Sequence, residues 1–298
     1  MIDVCLAGTG GMMPMPDRFL TSLYLRSEGR ALLIDCGEST QTAMRCAELH
    51  FKPIEALLLT HYHADHVSGL PGLLLTLANE ARETPLHVYG PNGLSRVISA
   101  VRVIVPELSY EIVCHELDNT VSRFEIAGLN ITAFPAVHRI PCLSYMIEKP
   151  RAGKFDLEKA KRLNIPLKYW SRLQAGEEIG GYVPSDVMGA PRRGLKILYS
   201  TDTRPLPACA ELGADADLMI LEGMFGEPEK LERALLTRHE TMQEACRLAS
   251  DAHAKCLWLT HYSPANPHPE EFEAELKQIF ENLVISTDGQ KTTLKWEE

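Results

Sequence analysis

An α/β architecture, two sheets packed together with helices outside, follows from two features of this 298-residue chain. Short apolar runs bounded by turn residues alternate with stretches of helical spacing, and strand-rich segments followed by βα units occur twice. In order, Ile2–Ala7, Ser22–Arg26, Ala31–Asp35 and Ile54–Thr60 read as strands. The last is nearly continuous in apolar residues, the pattern of a strand buried on both faces. Ser39–Leu49 has helical spacing. Leu70–Asn79 reads as a helix entered through the Gly69-Leu70-Pro71 turn, where the fixed φ and missing N–H of proline are tolerated. Strand patterns continue at Leu86–Tyr89, Glu111–Cys114, Arg123–Ile126, Asn130–Pro135 and Cys142–Glu148. The second half repeats the alternation, with strands at Leu195–Ser200, Leu218–Glu222 and Lys255–Thr260 and a helix at Thr241–Ala252. A helix at Pro269–Asn282 and a strand around Thr292–Trp296 close the chain.

With 45% hydrophobic and 23% charged residues, the composition is that of a soluble globular protein, not a disordered one. A chain of this length buries a sizeable core without disulfides. There is no apolar run long enough to span a membrane, and Met1-Ile2-Asp3-Val4-Cys5 lacks the basic and apolar segments of a secretory signal. The eight cysteines never form a Cys-x-x-Cys pair and mostly sit in apolar surroundings, which suits free thiols in a reducing cytoplasm. The net charge is 30 − 40 = −10, which argues against indiscriminate nucleic-acid binding. No linker separates two domains, so residues 1–298 read as one domain, with a polar, Gly/Pro-rich arm inserted at about 150–194.

That arm reverses the sign of the chain. From Lys154 to Arg172 it carries Lys154, Lys159, Lys161, Arg162, Lys168 and Arg172 against Asp156 and Glu158. A solvated surface helix accounts for such a run, and so does an arm that meets a polyanion; Lys159, Lys161, Arg162 and Lys168 are the candidate phosphate contacts.

The chemistry is concentrated after the apolar run Ala56-Leu57-Leu58-Leu59-Thr60, in His61-Tyr62-His63-Ala64-Asp65-His66. Four metal-competent side chains within six residues at a strand exit can converge on a small volume. Imidazoles and a carboxylate suit zinc, and the absence of clustered cysteines points to a catalytic site instead of a structural one. The pattern should arise by chance in roughly one such chain per thousand. His138, Asp202 and His261 each follow a predicted strand, at loop entrances where functional residues collect. Taken singly, each fits an incidental loop residue as well as a ligand. Beside the cluster they supply the further ligands of a two-metal site, with Asp202 able to bridge.

Leu6-Ala7-Gly8-Thr9-Gly10, Asp35-Cys36-Gly37-Glu38, the run from Leu59 to Gly72, Ser200-Thr201-Asp202-Thr203-Arg204-Pro205 and Leu259-Thr260-His261-Tyr262-Ser263 resemble the ribonuclease Z family of the metallo-β-lactamase superfamily. The resemblance implies an αββα sandwich with a dinuclear zinc site at one edge. His61, His63 and His138 would hold one zinc, Asp65, His66 and His261 the other, and Asp202 would bridge them. It implies endonucleolytic removal of the 3′ trailer from precursor transfer RNA, a homodimer, and an arm that grips the transfer-RNA elbow. Where many bacterial members have a Gly-Pro-rich arm tip, this chain has Ile165-Pro166-Leu167-Lys168-Tyr169-Trp170.

The expected chemistry is attack by a zinc-activated hydroxide, with Asp65 orienting or deprotonating the water. His239 matches a family histidine that protonates the leaving oxygen, and Glu222 the acid that orients it. The expected cofactor is two zinc ions per chain, with manganese or iron also accepted by such ligands. A metallo-hydrolase of a small ester, thioester or cyclic phosphodiester on the same fold is the alternative. An RNA-binding protein with a vestigial site is disfavoured, because every expected ligand is present.

Overall fold

The computed structural model describes residues 1–296. The strands are β1 (Ile2–Gly8), β2 (Ser22–Ser27), β3 (Arg30–Ile34), β4 (Ile54–Leu58), β5 (Leu86–Pro91), β6 (Ile112–Leu117) and β7 (Ser122–Ile126). Then come β8 (Leu129–Pro135), β9 (Leu143–Arg151), β10 (Arg192–Ser200), β11 (Leu218–Glu222), β12 (Leu257–Thr260), β13 (Leu283–Ile285) and β14 (Gln290–Leu294). They form two seven-stranded sheets, in the orders β14-β1-β2-β3-β4-β5-β6 and β13-β12-β11-β10-β9-β8-β7. Each sheet is antiparallel on one side and parallel on the other. β3 to β6 pair in parallel in the first sheet, and β10 to β13 in the second.

Helices cover the outer faces: α1 (Thr40–Cys46), α2 (Ala64–Val67), α3 (Leu70–Asn79) and α4 (Leu94–Ile104) follow strands of the first sheet. Leu33, Leu57 and Leu59 pack there with Met44, Leu73 and Leu77. The alternate residues Leu32, Ile34 and Leu58 are fully buried outside that cluster, as the two-residue period of strands buried on both faces requires. In the second sheet Leu198, Met219, Leu221 and Leu259 pack with Met242, Ala245, Cys246 and Ala249.

The chain divides into two compact units, one of Met1–Glu148 with the segment from Lys196 onward, the other Lys149–Leu195. The smaller unit holds α5 (Leu157–Arg162) and α6 (Leu167–Gln174) around its own core of Ala160, Ile165, Leu173 and Val187. Asp156 caps α5 by accepting from the Lys159 N–H at 2.9 Å. Trp170 belongs to this core: its indole N–H donates to the Ile165 carbonyl at 3.0 Å and its ring lies 5.6 Å from that of Phe155. Lys161 pairs with Glu158 at 2.8 Å and Arg172 with Glu177 at 2.5 Å, both on the exposed surface. The larger unit completes its helices with α7 (Pro207–Leu212), α8 (Leu231–Thr237), α9 (Met242–Asp251) and α10 (Glu273–Leu276).

The expected helix over Pro269–Asn282 is instead a 3₁₀ turn at Pro269–Phe272 followed by the single turn of α10. Glu270, Glu271, Glu273 and Glu275 crowd like charges onto neighbouring positions, which weakens a longer helix. Helices α2, α4, α6, α7 and α8 stand where the sequence predicts none. They are short or begin after Gly, Pro or Lys without a side-chain cap, so the start signal is missing from the sequence.

One buried hydroxyl joins the sheets beside the end of β4. The Tyr145 phenol donates to the Leu59 carbonyl at 2.7 Å, two residues before His61. Tyr145→Phe should leave that carbonyl without this donor and cost about 1–2 kcal/mol, read from the urea midpoint at unchanged slope.

Candidate metal centre

The parallel strands of both sheets end at one edge, where irregular backbone is free to aim side chains inward. β3 leads to Asp35, β4 to His61, β10 to Asp202 and β12 to His261, β11 ends at Glu222, and the antiparallel β8 leads to His138. His63 precedes α2, whose first turn carries Asp65 and His66. Asp35, Asp202 and His261 hold left-handed backbones, φ 61°, 52° and 58°. Such conformations cost about 1–3 kcal/mol each and cluster where a side chain must point against the run of the chain.

The donor atoms fall into two groups. His61 Nε2 lies 2.9 Å from His63 Nδ1, which lies 3.2 Å from His138 Nε2. Asp202 Oδ2 completes this group, 3.8 Å from His61 and 3.9 Å from His138. In the second group, His66 Nε2 and His261 Nε2 are 3.2 Å apart and each is 3.1 Å from Asp202 Oδ1. Asp65 Oδ2 lies 3.4 Å from His261 and 3.7 Å from His66. Donors on a tetrahedral zinc stand roughly 3.3 Å from one another, so both groups have the spacing of a metal's ligand shell. Asp202 gives one oxygen to each. Its Oδ1 is buried without a hydrogen-bond partner, as a ligand atom would be.

Electrostatics separates the groups. Burial holds the protons off His61 and His63 and pushes His138 down to about 4, leaving neutral imidazoles ready for a cation. Burial opposes charge on His66 and His261 as well, but Asp202 outweighs it. Asp35 adds to the rise at His66, Asp65 and Glu222 to that at His261, which reaches about 10. Burial would also neutralise Asp202, yet His261, His66 and His61 hold it well below the usual carboxylate range.

Asp35 has a role that the sequence does not assign. Wholly buried, it accepts from the Thr60 N–H at 2.8 Å, the Thr60 hydroxyl at 2.9 Å and His66 Nδ1 at 2.8 Å. The Thr60 hydroxyl has one proton, spent on Asp35, so it accepts from His61 Nδ1 at 3.1 Å. This chain of bonds assigns the tautomers of both His61 and His66 and turns their Nε2 atoms inward. An acid directly after the apolar Leu32-Leu33-Ile34 was the available signal. The first loop contributes too: the Met12 N–H donates to Asp65 Oδ2 at 2.7 Å. A Cβ on Gly11 would stand 2.7–2.8 Å from the His261 ring, so that loop needs glycine there.

His239, behind this edge, lies with its ring 5.2 Å from that of His138. Its Nδ1 meets Glu222 Oε2 at 2.8 Å, and Glu222 Oε1 accepts from the N–H groups of Thr203 at 2.9 Å and Glu240 at 3.0 Å. Burial lowers the proton affinity of His239, but Glu222 outweighs it and raises the ring above its ordinary value. Glu240 is fully buried with no hydrogen-bond partner on either carboxyl oxygen, and burial together with Glu222 and Glu244 raises its carboxyl well above the usual range. Lys161, Arg162 and Lys168 are exposed and Lys159 half-buried, all in the smaller unit, while every candidate metal ligand is in the larger one.

The geometry has counterparts among known proteins. A family model described as anti-Pycsar protein Apyc1 matches residues 2–149, the half that carries the His61–His66 run and His138. Among solved structures, human tRNase Z, short form, aligns with 99% of this chain and 100% of its own, with TM-score 0.73 and 25% identity. A metallo-β-lactamase fold protein from Bacillus subtilis aligns with TM-score 0.71 at 18% identity, covering 98% of this chain and 100% of its own, and shares the fold. The ribonuclease Z of Lachnospira eligens is 46% identical over 100% of this chain and 99% of the relative. That of Agathobacter rectalis is 45% identical over the full length of both. Identity at this level along the whole chain, on a metallo-β-lactamase fold with two donor groups sharing an aspartate, establishes that the chain belongs to the ribonuclease Z family.

Proposed function

We propose that this chain is a metal-dependent endoribonuclease that removes the 3′ trailer of precursor transfer RNA. The observation that carries the reading is Asp202 shared between two donor groups, beside the His239–Glu222 pair, in a chain of the ribonuclease Z family. His61, His63 and His138 would hold one metal and Asp65, His66 and His261 the other, with Asp202 between them. The all-nitrogen and carboxylate donor set favours zinc, two ions per chain, and would also accept manganese or iron. When bound, such a pair supplies a nucleophile at neutral pH and offsets charge on the phosphoryl oxygens.

The protein's own residues do the rest. Asp65, fixed by the Met12 N–H, orients the attacking water. His239 keeps Nδ1 on Glu222, which leaves Nε2 to pass a proton to the departing 3′ oxygen. Lys159, Lys161, Arg162 and Lys168 bind RNA phosphates from the smaller unit, which serves as the inserted arm. The eight cysteines stand as free thiols, five of them buried, which supports a reducing, cytoplasmic setting. A homodimer completes the reading; Val103 and Ile104, exposed at the end of α4, are apolar surface available for it.

Zinc reconstitution followed by elemental analysis should find two metals per chain in the wild type and in His239→Ala, and a loss at both positions in Asp202→Ala. Fewer than one metal in the wild type would overturn the dinuclear reading. Turnover of precursor transfer RNA by His239→Ala should fall by about 10²–10⁴-fold. A wild-type rate would remove His239 from the mechanism. Replacing Lys159, Lys161, Arg162 and Lys168 together with Ala should raise KM for precursor transfer RNA and flatten its salt dependence. A short chromogenic phosphodiester should not register the change. Equal losses on both substrates would instead assign the arm to folding.

A further inference from the structure

We propose that the half-buried Arg204–Glu244 ion pair is a positioning device for His239, fixing where that ring meets the leaving oxygen. The inference rests on the general-acid reading of His239. Arg204 follows Asp202 by two residues, and its guanidinium grips the Glu244 carboxylate with both terminal nitrogens. Nη1 lies 3.0 Å from Oε2, and Nη2 contacts Oε1. Both side chains are only 17% exposed, so the pair is held in one geometry and weakly screened. Arg204 Nη1 also donates to the His239 carbonyl at 2.5 Å.

Each partner is anchored elsewhere. The Arg204 N–H donates to the Val137 carbonyl at 3.2 Å, and the Val137 N–H to the Thr203 hydroxyl at 2.9 Å, which ties the Asp202 turn to the loop of His138. Glu244 occupies the third position of α9, and its Oε2 accepts from the Thr241 N–H at 2.9 Å in a capping box. Met242, Ala245, Cys246 and Ala249 bury that helix in the core. His239 is thus held at its ring by Glu222 and at its carbonyl by Arg204. The segment before it offers less support. Arg238 ends α8 in a left-handed conformation, φ 63°, and Leu231, Leu235 and Leu236 of that helix are exposed. A displacement of about 1 Å at a reacting group can cost a hundredfold in rate, so a rigid hold on the carbonyl has a kinetic consequence.

The competing explanation is that Glu244 merely caps α9. Glu244→Gln separates the two, because glutamine serves the capping box equally well but no longer fixes the guanidinium. Arg204→Lys keeps the charge and loses the two-pronged grip. The readout is a ratio of rates on two substrates. The 3′ oxygen of RNA is a strongly basic leaving group that needs a proton, whereas the nitrophenolate of bis(p-nitrophenyl) phosphate departs without one. Both variants, loaded with zinc, should lower the ratio of kcat on precursor transfer RNA to kcat on the ester by about tenfold to a hundredfold. KM for RNA and metal content should stay at wild type. A ratio at the wild-type value, or equal losses on both substrates, overturns the positioning role. His239→Ala is run alongside: if it leaves the ratio at wild type, the general-acid reading fails. If it collapses the ratio while the clamp variants do not, only the present inference fails.

Discussion

Four carboxylates, Asp35, Asp65, Asp202 and Glu222, are buried along one sheet edge, and the surrounding structure answers the cost of burying them. An unpaired ionised carboxylate in the interior costs several kcal/mol, so each must meet a cation or several donors. Asp35 meets Thr60 and His66, and Glu222 meets His239 and two backbone N–H groups. Asp202 and Asp65 face histidines whose inward nitrogens crowd to within 3.2 Å of one another. Lone pairs brought that close attract a positive charge. At the second group the carboxylates raise the proton affinity of His66 and His261, the same pull that a cation there would feel.

The fold makes that crowding possible without sacrificing its core. Parallel strands from two sheets deliver Asp35, His61, Asp202, Glu222 and His261 to the same edge, and their apolar stretches stay in register behind it. The strain is confined to turns: three left-handed non-glycine residues sit in the centre, while the strands that lead to them are regular. Chemistry and core share strands but not residues. A change at the edge therefore alters the site while most of the apolar packing persists.

The division of labour extends along the chain. The candidate ligands and the His239–Glu222 pair belong to one compact unit, and the cationic helices to the other. The smaller unit has its own hydrophobic cluster, against which Phe155 and Trp170 pack, while Lys154, Lys161, Arg162, Lys168 and Arg172 stay exposed. The excess of cations over anions from Lys154 to Arg172 is thus a local reversal of sign in a chain of net charge −10.

What the sequence determined by itself was local. His61, His63, Asp65 and His66 lie within six residues after an apolar strand, so their convergence needs only a strand and one turn. His138, Asp202 and His261 were legible as acids and imidazoles at strand ends, and most strands fell within a residue or two of expectation because a two-residue period is written in neighbouring side chains. Asp35 follows an apolar strand, yet its bond to Thr60 crosses 25 residues and depends on the register of β3 against β4. The contact of His66 with His261 spans 195 residues, and that of Arg204 with Glu244 spans 40. Neither distance has any signature in local spacing. Tertiary structure alone decided them, because the order of strands in two sheets sets which loop ends become neighbours.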